Sequence, residues 1–406
     1  MRRFLIFALA AALLPVSAGA ANVVVPVLEL ATDGAWDPDI GSFVLRTRFA
    51  SDIVIHGGSK FAASLRLSLL ANHLEKTLAN GAADFDDSWD QDAADALNDA
   101  AFIGVSSVAL MIPSLFGLPV STTYFAGYLD QVASGSDYPE LFGRKNPSTS
   151  VQGYTAFPDG IGGDRSRWYD GIHSINGTGI RLGVRALDGD FAGYLYGYMD
   201  GNFSFISSGI WSVDARGVFA FGRSELEGFV GGSGTIGPYG VYRAGLLFHY
   251  DSEGAGEFFL QAGVPMWDPT KPLLVEDLYL LFEPRVRFGS GAVILTFFHH
   301  PSVYQQNPTT EGGMLNAALD LRFGDMETGG PQGGVRTLVS FDPGYDAPPS
   351  NPALDRPNSV SLSIVPYIDF SVGGIGWGIR LPVNIFPIEG PWYSLFNPLI
   401  AAKASF

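Results

Sequence analysis

The strongest constraint on this chain is a two-residue period. From Leu315 to Phe323 the odd positions are Leu315, Ala317, Leu319, Leu321 and Phe323, while the even ones are Asn316, Ala318, Asp320 and Arg322. Tyr242, Ala244, Leu246, Phe248 and Tyr250 likewise oppose Arg243 and His249, and Ile180, Leu182 and Val184 oppose Arg181 and Arg185. A helix gathers residues three and four apart onto one face, whereas a strand gathers every second residue, so these segments read as strands with one apolar and one largely hydrophilic face. A full pass gives about seventeen such segments. They lie near 43–50, 61–70, 103–112, 120–128, 178–187, 191–200, 210–222, 224–231, 240–250, 256–266, 275–288, 291–299, 314–323, 334–342, 359–372, 375–386 and 392–406. Short Gly-rich connections such as Phe288-Gly289-Ser290-Gly291 and Gly373-Gly374 suit consecutive antiparallel hairpins.

Two stretches depart from this rhythm. Ala100 to Leu129 carries no formal charge, and a long apolar run is the mark of a membrane-spanning helix. Pro113, Pro119, Gly104 and Gly117 interrupt it, so the expectation is two strands joined by a Pro- and Gly-bearing turn. Long connections are expected near 75–100, 130–176 and 342–358. The first holds Asp84, Asp86, Asp87, Asp90, Asp92, Asp95 and Asp99 and reads as a short acidic helix or a mobile loop. The second, rich in Gly, Asp, Ser and Pro, is either an outer loop or a segment folded inward as a constriction.

What the apolar faces meet decides the class. In a soluble β-sandwich they would pack on each other and the outer faces would be charged, yet only 16% of residues are charged, against about 25% in soluble domains. In a transmembrane barrel they meet lipid over segments of about ten residues, and closure leaves no unpaired backbone edge in hydrocarbon. The N-terminus agrees. Arg2 and Arg3, the apolar stretch Phe4 to Val16 and the small residues Ala18-Gly19-Ala20 form an export signal, residues 1–20, cleaved before Ala21. The mature chain, 21–406, is read as a single domain with 22 basic against 41 acidic residues, a poor match for nucleic-acid phosphates. The absence of Cys excludes a disulfide scaffold, thiolate metal sites and a cysteine nucleophile.

At the C-terminus Trp392, Phe396, Ile400, Ala402, Ala404 and Phe406 share one parity and the sequence stops at Phe406. This resembles the last strand of Gram-negative outer-membrane β-barrels, porins among them, in which a terminal Phe is the signal read by the barrel-insertion machinery. The resemblance implies an all-β, antiparallel up-and-down transmembrane barrel of about 16 strands (range about 14–18), located in the cell outer membrane. It also implies outer-membrane lipid, the insertion machinery and periplasmic chaperones as partners. Trimers are common among porins, although no residue here marks a flat contact face. Tyr194, Tyr196, Tyr198, Trp377, Trp392 and Tyr393 fit the aromatic belts at the two lipid interfaces.

With the apolar faces outward, the opposite positions line the lumen. Arg46, Arg48, Arg66, Arg181, Arg185, Arg216, Arg243, Arg285, Arg287, Arg322 and Arg380 fall there, with the fewer acids Asp214, Glu283, Asp320 and Asp369. The wall is therefore expected to be more basic than the molecule, and rings of Arg favour anions. Mutual satisfaction of these charges inside a plugged barrel is the alternative. Other constellations fail on their own terms. An EF-hand counted from Asp84 meets Trp89 where Gly is needed. Gly232-Ser233-Gly234-Thr235-Ile236-Gly237 matches a dinucleotide fingerprint, but Pro238 and a strand follow where a helix is required. His56, His73, His173, His249, His299 and His300 have no Gly-x-Ser-x-Gly nucleophile elbow to serve. No cofactor, metal site or catalytic residue is assigned. The expectation is a porin-like channel for passive diffusion of small hydrophilic solutes, anionic ones favoured, wide enough at this strand number to hold water. A surface binding or adhesion barrel with a closed lumen is the alternative, and a hydrophobic-solute transporter or barrel enzyme stands behind it.

Overall fold

A computed structural model describes residues 21–37, 41–58, 61–71, 101–115, 118–151, 171–186, 189–201, 209–234, 240–301, 314–324, 330–344, 359–388 and 391–406. The export signal, the Asp84–Asp99 stretch, His73 and much of the expected long connections lie outside the described residues. The strands run in chain order as β1 (Ala21–Asp37), β2 (Ser42–Gly57), β3 (Ala62–Ala71), β4 (Ala101–Ile112), β5 (Val120–Val132), β6 (His173–Arg185) and β7 (Phe191–Asp200). They continue as β8 (Trp211–Phe221), β9 (Ser224–Gly234), β10 (Val241–Asp251), β11 (Gly256–Trp267), β12 (Tyr279–Phe288), β13 (Gly291–His300) and β14 (Met314–Phe323). The last are β15 (Gln332–Asp342), β16 (Ser359–Val372), β17 (Ile375–Arg380), β18 (Val383–Phe386) and β19 (Leu399–Ala404).

Consecutive strands pair antiparallel around the sheet, and β19 returns to β1 from Leu28↔Ala404 to Asp33↔Leu399. The result is a closed transmembrane barrel of 18 strands, with β18 outside that count. β18 pairs only with Leu362–Ile364 of β16 and continues the line of β17 past Leu381 and Pro382. Phe406 adds to the seam by exchanging backbone hydrogen bonds with Val25 at 2.7 and 2.9 Å.

β2 to β17 and β19 follow the alternating segments. The uncharged stretch Ala100 to Leu129 is indeed taken up by two strands, β4 and β5, joined through Pro113 and Pro119. Two expectations fail. β1 was not expected: its start, Val23-Val24-Val25-Pro26-Val27-Leu28, runs apolar without alternating, because the pairing to β2 slips between Val24 and Val27 around a proline that has no N–H to give. The last strand is also shorter than 392–406. Trp392–Leu395 form a 3-10 turn after Pro391, and pairing resumes only after Pro398.

The connections alternate in length. Those after the even-numbered strands up to β16 are mostly tight, such as Gly222-Arg223, Gly289-Ser290 and Gly373-Gly374, while those after odd-numbered strands include 133–172 and 343–358. One rim is thus tightly turned and the other loop-bearing. Outside, Val213, Leu246, Leu280, Val286, Leu319 and Leu321 are exposed, as lipid requires, whereas the inner face buries Asp214, Arg216, Glu227, Arg243, Glu283 and Asp320. Among the described residues no helix is long and apolar enough to cross a membrane.

Candidate functional site: the furnished lumen

The connection after β5 enters the barrel. Ala133, with φ 53°, and Gly135, with φ 72°, turn the chain through the left-handed region and aim their backbone N–H groups at one carboxylate of β9. Glu227 accepts from Ala133 and, at 3.1 Å, from Gly135, an arrangement in which converging amides hold an anion. A single helical turn, Tyr138–Phe142, follows. The chain then reaches the tightly turned rim, where Arg144 pairs with Glu225 at 2.5 Å and donates to the Gly222 carbonyl at 2.8 Å. It next runs along β12 and β13. Ser150 donates its N–H and hydroxyl to Glu283 at 2.9 and 2.6 Å and meets Thr296 Oγ1 at 2.7 Å.

Under this segment lies an apolar core that a barrel interior does not need for its walls alone. Tyr138, Leu141 and Val151 of the segment pack with Phe125, Ile175, Tyr196, Val218, Phe229, Leu247, Phe259, Leu281 and Phe298 of the wall. Burial beside Glu227 and Glu225 pushes the Tyr138 phenol well above its ordinary ionisation range, so it stays neutral. Tyr194, Tyr196 and Tyr198 belong to this interior and not to a lipid belt: Tyr196 and Tyr198 are fully buried. Their parity on β7 is that of Asp200, so the sequence reading placed them on the wrong face. Trp377, Trp392 and Tyr393 are exposed, as a belt requires.

The inward charges form pairs. Arg243 holds Asp214 through both Nε and Nη2 at 2.6 Å, donates to Ser233 at 2.6 Å and to Tyr198 at 3.1 Å, and lies 3.7 Å from Asp200. Two-point guanidinium–carboxylate bonds of this kind are among the strongest available to side chains. The sequence provides for it on the neighbouring strand: a Cβ at Gly231 would overlap Asp214 Oδ1. Arg216 bridges Glu227 and the segment's Asp137, both at 2.7 Å. Arg181 holds Asp130 at 2.8 Å, with Tyr196 donating to the same carboxylate, also at 2.8 Å. His249 lies between Glu225 at 2.8 Å and Glu257 at 3.0 Å, and Arg285 and Arg287 close on Glu257 from the other side. Arg185 donates to the Leu141 carbonyl near the rim.

Across the lumen the furnishing by the described residues is thinner. Arg46 pairs with Asp33 at 2.5 Å, Lys403 with Glu29 at 2.9 Å, Ser68 with Asp52 at 2.5 Å, and Arg380 with Asp369 at 2.6 Å. Arg66 sits over the Tyr128 ring. Tyr367 of β16 lies across β15 to reach Asp320 of β14 at 2.9 Å, flanked by Arg336 and Arg380 over its ring and by Arg322 at its hydroxyl. Gly334 makes that crossing possible, since a Cβ there would stand 2.7 Å from the Tyr367 hydroxyl. The Arg46 and Arg322 side chains keep 25% and 24% of their surface open.

The structure therefore places the sequence-derived lumen residues on the inner wall and its rim, but with far more acid than expected. Glu29, Asp33, Asp52, Asp130, Asp200, Glu225, Glu227 and Glu257 also point inward, although most of the chain's 41 acidic residues still fall in the connections between strands. Arg336 was missed as well. The parity rule would have found Glu225 and Glu227, which alternate with Leu226 and Val230 in β9. The remaining motifs stay inert. Gly232–Gly234 end a strand and β10 follows, so no helix N-terminus meets them. His299 bonds the Leu278 carbonyl and His173 the Tyr198 hydroxyl. Among the described residues no group of three His, Asp or Glu is set to hold a metal ion.

No protein-family model and no curated protein matches the chain in sequence. Its fold matches solved structures over nearly its whole length. Acinetobacter baumannii OccAB4 superposes with a TM-score of 0.52 at 9% identity, covering 95% of this chain and 98% of that one. A mutant of the Rh. blastica porin covers 95% of this chain and 100% of that one at 10% identity, with a TM-score of 0.48. The fold is that of a porin-like β-barrel. At these identities the likeness concerns architecture alone.

Proposed function

We propose that this porin-like barrel sits in the outer membrane, exported by residues 1–20, and works as a passive channel for small hydrophilic solutes with a preference for anions. The pairing of Ala21 with Gly57, directly after the expected cleavage point, supports export of a chain that starts with its first barrel strand. The observation that carries the channel reading is the unequal filling of the lumen by the described residues. The Ala133–Val151 segment and its apolar core occupy the side walled by β5 to β13, and solutes pass along the side walled by β14 to β19 and β1 to β3. There Arg46, Arg48, Arg66, Arg322, Arg336, Arg380 and Lys403 stand against Glu29, Asp33, Asp52, Asp320 and Asp369. An excess of fixed positive charge in a narrow aqueous path favours anions.

A second reading, a surface-binding barrel with a closed lumen, draws on the contact between Arg144 and the Gly222 turn, which carries the segment to the far rim. Reconstitution in a planar bilayer separates the two. Discrete conductance steps whose reversal potential in a salt gradient has the sign of anion preference support the channel as described. Steps with cation preference keep the channel and overturn its charge assignment, and a strand-rich, heat-modifiable protein that inserts without conducting overturns the channel.

A further inference from the structure

The polar bonds that tie Ala133–Val151 to the wall end almost throughout on groups with a second partner on the wall itself. Glu227, which takes the Ala133 and Gly135 N–H groups, also takes Arg216 Nε. Glu283, which takes Ser150, keeps Thr296 and Arg285. Glu225 gives up Arg144 and keeps His249, and Arg216 gives up Asp137 and keeps Glu227. Gln261, which donates to the Ala133 carbonyl, still receives Tyr279, and Arg336, which reaches the Ser150 carbonyl, still reaches Asp320. Breaking a buried ion pair is costly chiefly because it leaves a charge uncompensated. Lifting this segment leaves none on the wall at these positions.

The seated segment also carries features that lifting would relieve. Ala133 holds a left-handed backbone that a residue with a Cβ rarely adopts. Arg216 Nη2 and the Tyr138 hydroxyl are buried without a partner, and both would meet water once the segment moved. Tyr138, Leu141 and Val151 work the other way, holding it down by burial against the wall core.

We propose that Ala133–Val151 is a detachable gate, latched shut by the buried carboxylates Glu227 and Glu283, over a wall that stays intact and charge-balanced when the gate lifts. The proposal deepens the channel reading and rests on it for its consequence, a wider path. The absence of native Cys allows a clean test. A single reporter, Leu141→Cys, places a thiol that is buried while the gate is shut. Its labelling by a membrane-impermeant maleimide is measured on the reconstituted full chain, with and without Glu283→Gln and Asp137→Asn, which loosen the latch while Arg285 keeps Glu257 and Arg216 keeps Glu227. Losing charge-assisted bonds at a latch shifts the equilibrium by about tenfold, so labelling is expected to accelerate by about that factor and unitary conductance to rise with it. Faster labelling without conductance in any variant keeps the gate and overturns the channel. An unchanged labelling rate in folded latch variants overturns the gate. Should those variants fail to fold, Ser150→Cys with Thr296→Cys, whose hydroxyl oxygens stand 2.7 Å apart, staples the gate by a disulfide. Conductance that rises when the staple is reduced supports the gate, and identical oxidised and reduced traces overturn it.

Discussion

The two sides of the lumen solve the same problem differently. Both must satisfy charged side chains inside a membrane. Between β5 and β13 the solution is exclusion of water: Arg243, Asp214, Glu227 and Glu283 are fully or almost fully buried, each charge answered by an opposite one, with an apolar core between. From β14 through β19 to β3 the acids Glu29, Asp33, Asp52 and Asp320 are also buried, but Arg46, Arg322 and Lys403 keep a quarter to a half of their side-chain surface open, and among the described residues the buried apolar cluster is Ala31, Leu399 and Ala401. A buried guanidinium is held in place by its partners and has little left to offer a passing solute. A partly solvated one is less stabilising for the fold and more available to the lumen. Under the proposed channel reading, stability and selectivity fall to opposite sides of one barrel.

Substitution should separate them. The largest effect is expected for Arg243→Ala, which strands Asp214 and Asp200 in a buried site. A loss of about 3–5 kcal/mol is the usual consequence, read as a large fall in the temperature at which the heat-modifiable folded form is lost, with ion selectivity retained in whatever folds. Next come the glycines that seat the networks. Gly231→Ala drives a methyl into Asp214 within the filled side, Gly334→Ala drives one into Tyr367 on the open side, and overpacking of this kind costs about 1–3 kcal/mol. The Gly231 variant is expected to lose more stability, because its neighbour is a rigid two-point ion pair; the reverse order would break the comparison. Arg322→Ala with Arg46→Ala, each about a quarter open, should cost less stability than Arg243→Ala and move the reversal potential measurably toward zero. A selectivity unchanged by that pair, but altered by a filled-side Arg, would relocate the path. Smallest is Arg287→Ala, half open at the rim, where an exposed pair is worth about 0–1 kcal/mol and both readouts should stay near those of the parent.

Strand positions were legible because lipid and water face opposite sides of the same backbone, and every strand must record that in its sequence. What a single strand does not record is its neighbour. Arg216 stands opposite Phe229 in the ladder and bonds Glu227, one inward position away, so the ion-pair map depends on register, which the alternation leaves open. Failure at β1 has a local cause: Pro26 forces the slip that hides its period, and that slip leaves Val25 to pair with Phe406. Nor could the inward turn of the second long connection be read, since its polar composition suits a loop in water equally well. Its large buried apolar anchors, Tyr138, Leu141 and Val151, are few, and the wall partners of its polar bonds sit on strands far along the chain.

The Tyr367 crossing has a consequence for assembly. Arg322, Gly334 and Tyr367 lie in one row across β14, β15 and β16, and the ring fits only because the middle position lacks a side chain. If β15 slid by two residues, Gln332 or Arg336 would take that place and block the ring from Asp320. Alternation alone cannot detect such an error, because a two-residue slide keeps every apolar side chain facing lipid. The glycine and tyrosine thus act as a key in a lock, letting three strands distinguish the right alignment from one that looks equally good to the membrane.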